Sequence, residues 1–170
     1  MRILFFFQKR KFGEILEPAK IWGQKPQIYL GFLSMYNRLN CRHSLIDSQL
    51  RALISVKVSQ INDCPFCIDM NAQLLFERGG STSKLNELSD YQQSSLFTGK
   101  EKASISYAEA MTLDKCLVDE MLFNRLKEFY NDDEIIELTA LIAFQNMSSR
   151  FNAALKIPSQ EICKINHLDK

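Results

Sequence analysis

The spacing of apolar residues constrains the fold of this 170-residue chain more than any other feature of its sequence. Apolar side chains recur at intervals of three and four residues over most of its length, as on the buried face of an amphipathic helix. No segment combines sustained apolar–polar alternation with the β-branched enrichment of a strand. We therefore predict an all-α protein, without a repeat, a low-complexity segment or an interdomain linker.

Helix-start and helix-stop residues divide this pattern into elements. Pro26 fits the first turn of a helix that runs to about residue 40, and Asp47 or Ser48 fits the cap of a helix that runs to about residue 62. Pro65 and the Gly79-Gly80 pair bracket a short helix that begins directly after Cys64. Further helices are predicted over residues 81–91, 98–112 and 117–130, and from a cap at Asp132 to an end near Pro158.

The predicted helices define one domain with two flanking segments. Residues 1–25 are predicted to form an N-terminal arm, irregular over residues 5–24, and residues 161–170 a C-terminal tail. The helical domain occupies residues 26–160. Within the arm, residues 5–7 are three consecutive phenylalanines, which we expect either to dock on a neighbouring subunit or to join the core.

Charge and hydropathy exclude two classes of function. The chain has 21 Lys and Arg against 20 Asp and Glu, a formal net charge of +1, without the basic excess that binding to nucleic acid requires. No apolar run approaches the roughly 20 residues that span a bilayer. We expect a cytoplasmic protein with neither a membrane nor a nucleic-acid partner.

Cysteine usage points to the chemistry. The five cysteines include one close pair, Cys64 and Cys67, and the odd total is unlike the disulfide framework of a small secreted scaffold. Cys41, Cys116 and Cys163 have no partner at a comparable spacing and are interpreted as packing or surface thiols.

Two cysteines three residues apart on the first turn of a helix lie close enough to form a disulfide. The free N–H groups and the dipole of the helix N-terminus favour the thiolate there. Two alternatives remain open, a structural zinc site and a pair of inert buried cysteines. The sequence offers only His43 and His167 as imidazole ligands, neither in a second paired motif, so we predict neither a metal nor another cofactor.

At this point the sequence resembles a known family. Residues 53–72 (LISVKVSQINDCPFCIDMNA) are similar to the core motif of the AhpD-like alkyl hydroperoxidase and carboxymuconolactone decarboxylase superfamily, and residues 102–112 and 138–154 resemble later segments of it. The resemblance implies the all-α AhpD-like fold and a homo-oligomer (dimer, trimer or hexamer). It also implies peroxide reduction with Cys67 as the attacking thiol, Cys64 as the resolving thiol, and a protein or small thiol as reductant.

The chain departs from the family at the proton relay. The peroxidases of the family have a glutamate twelve residues before the first cysteine and a histidine four residues after the second, positions occupied here by Ala52 and Asn71. Asn71 lies one turn beyond Cys67 and can donate a hydrogen bond, although it cannot act as a base. Ser55 and Ser59 follow Ala52 at helical spacing.

The two serines have two interpretations. They can hold a water chain in place of the missing carboxylate, or they can belong to a plain solvated face. Lys57, within the apolar arc of the same helix, is expected to be extended to solvent, paired, or shifted in pKa.

Two functional hypotheses follow. The first is a cofactor-free thiol peroxidase or disulfide oxidoreductase in antioxidant defence, with Cys64, Cys67, Asn71, Ser55 and Ser59 as site residues. The second is a non-enzymatic oligomeric or redox-sensing protein that kept the fold but lost the relay. A third activity, lactone decarboxylation, lacks a visible acid–base pair. Because peroxide cleavage needs a proton for the departing oxygen, we expect fast disulfide exchange and slow peroxide reduction.

Overall fold

Helices account for all the regular secondary structure of residues 2–113 and 118–163, the parts of the chain that the computed structural model describes. The all-α prediction is confirmed. The helices are α1 (Arg2–Phe12), α2 (Glu17–Trp22), α3 (Pro26–Leu39), α4 (Ser48–Ile61), α5 (Pro65–Glu77), α6 (Thr82–Asn86), α7 (Gly99–Thr112), α8 (Glu120–Lys127) and α9 (Asp132–Ala154). Cys116, residue 117, His167 and the predicted tail beyond residue 163 lie outside the described ranges.

Capping residues explain why the central helices begin where they do. The Asp47 carboxylate accepts hydrogen bonds from the backbone N–H groups of residues 49 and 50 at the start of α4. Thr98 and Glu101 form the predicted capping box of α7. A second capping box, formed by Asn131 and Glu134, begins α9, so the predicted cap at Asp132 is wrong by one residue.

The predicted irregular segment over residues 5–24 is wrong, because α1 and α2 occupy most of it. Gly13 and Pro18, which lie within this segment, mark helix boundaries. Gly13 follows α1 with a φ of 83°, a conformation that glycine adopts without strain. Pro18 lies in the first turn of α2, where its missing N–H costs no hydrogen bond. Two other helices are shorter than predicted, at Thr82–Asn86 and Glu120–Lys127.

Helix α4 is the centre of the molecule and packs against α5, α7 and α9. Ten consecutive residues of α4, from position 50 to position 59, are buried, including the polar or charged Arg51, Ser55, Lys57 and Ser59. Its largest fully buried side chains are Leu53, Ile54, Val56 and Val58. Helices α5, α7 and α9 are therefore arranged around this one.

A second cluster of buried side chains joins the N-terminal helices to the start of α5. Trp22 of α2 stacks on Phe151 of α9 and on Phe32 of α3, with ring centroids 3.8 and 4.9 Å apart. Cys64 and Cys67 belong to the same cluster. The N-terminal helices are thus part of the structure around the cysteines.

Lys57 is paired, which was one of its three expected states. Its Nζ lies 2.7 Å from Glu109 Oε1 of α7, and the other carboxylate oxygen of Glu109 accepts a hydrogen bond from the Tyr91 hydroxyl. Burial raises the pKa of Tyr91, so this hydroxyl keeps its proton and remains a donor at neutral pH. The buried charge is therefore neutralised within the core.

The three phenylalanines of α1 differ in burial. Phe5 packs against the second cluster, whereas Phe6 and Phe7 are 63% and 60% exposed. Ile3, which is 72% exposed, lies one turn before them. Among the described helices, none is both long and apolar enough to cross a membrane.

We expect Trp22→Ala to lower the free energy of unfolding by about 3–5 kcal/mol, because it removes a buried aromatic side chain from between two others. Urea unfolding measures this loss. Met121→Ala, a substitution of an exposed side chain on α8, is the control and should change stability by less than about 0.5 kcal/mol. Equal effects of the two substitutions would contradict the packing role of Trp22.

We expect the protein to form a homo-oligomer that buries Ile3, Phe6 and Phe7 against a second copy. Replacing Phe6 and Phe7 together by Ser should lower the molar mass measured by light scattering, since each buried phenylalanine contributes about 1.5–3 kcal/mol. Met121→Ser is the matched control. A monomeric wild type at micromolar concentration would contradict the assembly, and an unchanged mass of the double variant would contradict the role of α1.

Candidate active site

Cys64 and Cys67 lie at the start of α5 as the sequence predicts. Cys64 is the N-cap residue, Pro65 is the first helical residue, and Cys64 Sγ accepts a hydrogen bond of 3.3 Å from the Cys67 backbone N–H. The two cysteines are joined by a disulfide, with their Cα atoms 5.3 Å apart. Helix geometry thus holds the two sulfurs together without any other element.

One sulfur of the pair borders a cavity. Cys67 lines a cavity of about 240 Å³, whereas Cys64 is fully buried and does not contribute to its wall. Most of the wall is apolar, and it comes from α1, α2, α3, α5 and α9. Its aromatic members are Phe12, Trp22, Tyr29, Phe32, Tyr36, Phe66 and Phe144. A molecule that enters this cavity meets the sulfur of Cys67.

Asn152 of α9 is the side chain that contacts the Cys67 sulfur. Its Nδ2 donates a hydrogen bond of 3.3 Å to Cys67 Sγ. Its Oδ1 is buried and accepts no hydrogen bond from any described residue. Sequence reasoning missed Asn152, although Gln145, Ser148, Ser149 and Asn152 form a stripe of polar residues at three- and four-residue spacing that could have identified it.

Ser59 of α4 connects three helices next to the cavity. Its hydroxyl oxygen accepts hydrogen bonds from Asn71 Nδ2 of α5 (3.2 Å) and Gln145 Nε2 of α9 (2.9 Å), and it donates to the Ser55 carbonyl (2.6 Å). Ser55 and Ser59 are both buried, so the interpretation of a solvated face is wrong.

The predicted site residues are therefore brought together only in part. Asn71 and Cys67 line the same cavity, but the described hydrogen bond of the Asn71 side chain is to Ser59. The Ser55 hydroxyl donates to the backbone carbonyl of Arg51, so only the carbonyl of Ser55 belongs to the network around Ser59. Ala52 is buried in the main core.

No carboxylate or imidazole of a described residue lines the cavity. Candidate acids elsewhere are engaged, since Glu109 pairs with Lys57, and Glu101 pairs with Lys84 and caps α7. Asp69 accepts hydrogen bonds from the backbone N–H groups of residues 160, 162 and 163. Within residues 2–113 and 118–163, no group of three or more His, Cys, Asp or Glu residues could hold a metal ion.

We expect Ser59→Ala to lower the free energy of unfolding by about 3 kcal/mol, because it leaves the amide donors of Asn71 and Gln145 buried without an acceptor. Ser55→Ala is the matched control on the same helix and should cost less than about 1 kcal/mol, since it removes only a bond to the preceding turn. Urea unfolding of both variants measures the difference. Equal losses would contradict the connecting role of Ser59.

Known proteins are similar to this chain in sequence and in fold. The sequence profile of the carboxymuconolactone decarboxylase family matches residues 26–110. The uncharacterized protein YnjA of Escherichia coli (strain K12) is 37% identical over 160 residues, which are 94% of this chain and 88% of that protein. These two matches establish common ancestry over the helices that form the cysteine site.

Two solved structures are similar in fold at low identity. An uncharacterized peroxidase-related protein from Ralstonia eutropha JMP134, described as an alkylhydroperoxidase AhpD core, has a TM-score of 0.85 at 18% identity over 99% of this chain and 90% of that one. A variant of the debrominase Bmp8, in complex with 2,3,4-tribromopyrrole, has a TM-score of 0.82 at 19% identity over 94% and 85%. The chain therefore belongs to the carboxymuconolactone decarboxylase family and adopts the all-helical AhpD-like fold.

Proposed function

We propose that this protein is a cofactor-free thiol oxidoreductase that reduces disulfides and organic hydroperoxides with the Cys64–Cys67 pair, in antioxidant defence. The observation that supports this proposal most is that Cys67, and not Cys64, lines the cavity. The sulfur that borders the cavity is the one a substrate meets first. Cys67 is therefore the attacking thiol, and the buried Cys64 is the resolving thiol.

The reaction proceeds in three balanced steps. The Cys67 thiolate attacks the terminal oxygen of the hydroperoxide, the O–O bond breaks, and the alkoxide leaves and takes a proton from water, so that Cys67 becomes a sulfenic acid. The Cys64 thiolate then attacks the Cys67 sulfur and releases hydroxide, which is protonated to water. A protein dithiol or two small thiols finally reduce the disulfide and are themselves oxidised.

The N-terminus of α5 stabilises the thiolate form of Cys67. The free N–H groups and the dipole of the helix N-terminus stabilise negative charge on a sulfur of the first turn. The Asn152 amide adds a hydrogen bond to Cys67. Both effects support attack on a disulfide, in which the leaving sulfur departs without needing a proton.

No carboxylate or imidazole of a described residue lines the cavity, which limits the peroxide reaction. A positioned acid or base is typically worth about 10²–10⁴-fold in rate. Peroxide cleavage here depends on water to protonate the alkoxide. We infer that disulfide exchange is the faster reaction.

The aromatic wall favours an organic substrate over hydrogen peroxide. Seven aromatic side chains line the cavity, and burial of apolar surface is the main source of binding free energy in such a site. The Bmp8 variant, which has the same fold, holds 2,3,4-tribromopyrrole, a flat aromatic compound. An aromatic hydroperoxide such as cumene hydroperoxide is therefore a suitable test substrate.

A redox-sensing protein without turnover is the second candidate. The absence of a carboxylate or imidazole among the described cavity residues favours it. Both candidates use the same cysteine pair, and they differ in whether oxidation is followed by repeated turnover. Continuous consumption of hydroperoxide with dithiothreitol as reductant indicates the enzyme.

We expect one equivalent of cumene hydroperoxide to remove both thiols of the reduced Cys64–Cys67 pair in a single turnover. Cys64→Ser should stop at a species that has gained one oxygen, and Cys67→Ser should not react. Thiol counts and intact mass measure these products. Cys41→Ser, which removes a cysteine outside the pair, is the matched control and should behave as wild type.

Three results would contradict this assignment. If the wild type keeps both thiols, the redox proposal fails and the cysteines are inert. If Cys67→Ser gains the oxygen and Cys64→Ser does not react, the two roles are reversed. If Cys41→Ser loses activity, the reacting thiol lies outside the pair.

A further inference from the structure

The amide of Asn152 is oriented by Cys67 alone. Among the described residues, the 3.3 Å bond from Nδ2 to Cys67 Sγ is the only hydrogen bond of this side chain. The residue is 3% exposed, and its Oδ1 is buried without a donor. Buried polar groups in folded proteins nearly always have partners, so this orphaned oxygen next to the reacting sulfur requires an explanation.

A primary amide can bond to a cysteine in either protonation state. The NH₂ group donates to a thiolate, and the carbonyl oxygen accepts from the S–H of a thiol. Rotation about the last side-chain torsion exchanges these two groups, and this torsion is broad for asparagine. Rotation of the Asn152 amide breaks no hydrogen bond to a described residue other than the bond to Cys67.

The Asn152 amide forms a weaker hydrogen bond to a disulfide sulfur than to a thiol or a thiolate. A disulfide sulfur has no proton to donate and is a weak acceptor, whereas a thiolate accepts a charge-assisted hydrogen bond that is roughly twice as strong as a neutral one. In the disulfide form, Oδ1 is accordingly without a partner among the described residues. The amide thus interacts more strongly with Cys67 when the pair is reduced.

We propose that Asn152 is a positioning residue that keeps a hydrogen bond to Cys67 in the thiol and thiolate forms and thereby favours the reduced pair over the disulfide. This proposal rests on the proposed function only in taking Cys67 as the reacting thiol. Asn152 exchanges neither electrons nor protons with it. Because the amide donates more strongly to the thiolate than the carbonyl accepts from the thiol, it also lowers the pKa of Cys67.

The other titratable groups around Cys67 are neutral, bound elsewhere, or unchanged in the variants proposed below. Lys11 of α1 and two tyrosines of α3, Tyr29 and Tyr36, line the same cavity. Burial raises the pKa of both tyrosines, so they are neutral when the thiol titrates. On α5, the Asp69 carboxylate is bound by the backbone of residues 160–163. Lys11 would favour the thiolate, but it remains in every variant proposed below.

Two substitutions at position 152 test the proposal, with the thiol–disulfide equilibrium of Cys64–Cys67 in a glutathione buffer and the pH dependence of Cys67 alkylation as readouts. Asn152→Leu removes donor and acceptor while keeping the number of side-chain heavy atoms and the branched shape. We expect it to favour the disulfide about ten-fold, which is ~30 mV for a two-electron couple, and to raise the pKa of Cys67 by about one unit. Asn152→Asp keeps an acceptor for the thiol S–H but places a carboxylate beside the thiolate.

The aspartate variant separates the proposal from a structural role. We expect it to raise the pKa of Cys67, as the leucine variant does, while the equilibrium stays at or above the wild-type preference for the reduced pair. A structural role would move both variants in the same direction. Equal shifts toward the disulfide, or no shift in Asn152→Leu, would overturn the proposal. If the leucine variant does not fold, the aspartate variant tests the proposal by itself. A shift of its equilibrium toward the disulfide contradicts the proposal.

Ser148→Ala is the matched control. Ser148 lies one turn before Asn152 on α9 and lines the same cavity. This substitution therefore alters the cavity wall but keeps the hydrogen bond between Asn152 and Cys67. We expect both readouts to equal those of the wild type, and a shift comparable to that of Asn152→Leu would overturn the proposal. Both readouts are independent of hydroperoxide. A wild type that exchanges disulfides but reduces no hydroperoxide therefore contradicts the peroxidase activity alone.

Discussion

The hydrogen bonds that meet at Ser59 are the interaction on which the site depends. The buried hydroxyl group of Ser59, on the central helix α4, accepts hydrogen bonds from one amide of α5 and one amide of α9. Asn71 lies one turn after Cys67, and Gln145 lies two turns before Asn152. The contact between Cys67 and Asn152 is thus fixed by a bond made farther along the same two helices. Apolar packing alone would allow these helices to slide along one another, whereas directional bonds define their register.

The fold accommodates uncharged residues at positions 52 and 71. The family pattern places a glutamate and a histidine where this chain has Ala52 and Asn71. Ala52 fits the core without the cost of burying a charge. The Asn71 amide donates a hydrogen bond to the Ser59 hydroxyl, and no proton is transferred. The result is a neutral site whose only described ionic neighbour in the cavity wall is Lys11. In the proposed reaction, the Cys67 thiolate is stabilised mainly by the helix dipole and the Asn152 amide.

The sequence predicted those parts of the structure that depend on local chemistry. The start of α5, the cap of α4 and the capping box of α7 follow from residues adjacent in sequence, and each was correct. Helix α2 was missed because it has only six residues and depends on the stacking of Trp22 on distant rings. Asn152 was missed for a related reason. The polar stripe of α9 marks its face of the helix, but its partner is 85 positions away, and spacing within α9 does not reveal which residue lies opposite.

Trp22 is the only tryptophan of the chain, and it lines the same cavity as Cys67. The protein therefore contains an optical reporter at its own site. Indole emission responds to the polarity of its surroundings and is quenched by a nearby disulfide, which accepts an electron from the excited ring. Both the filling of the cavity and the redox state of the cysteine pair should consequently be visible in the unlabelled protein, in real time and without a coupled assay.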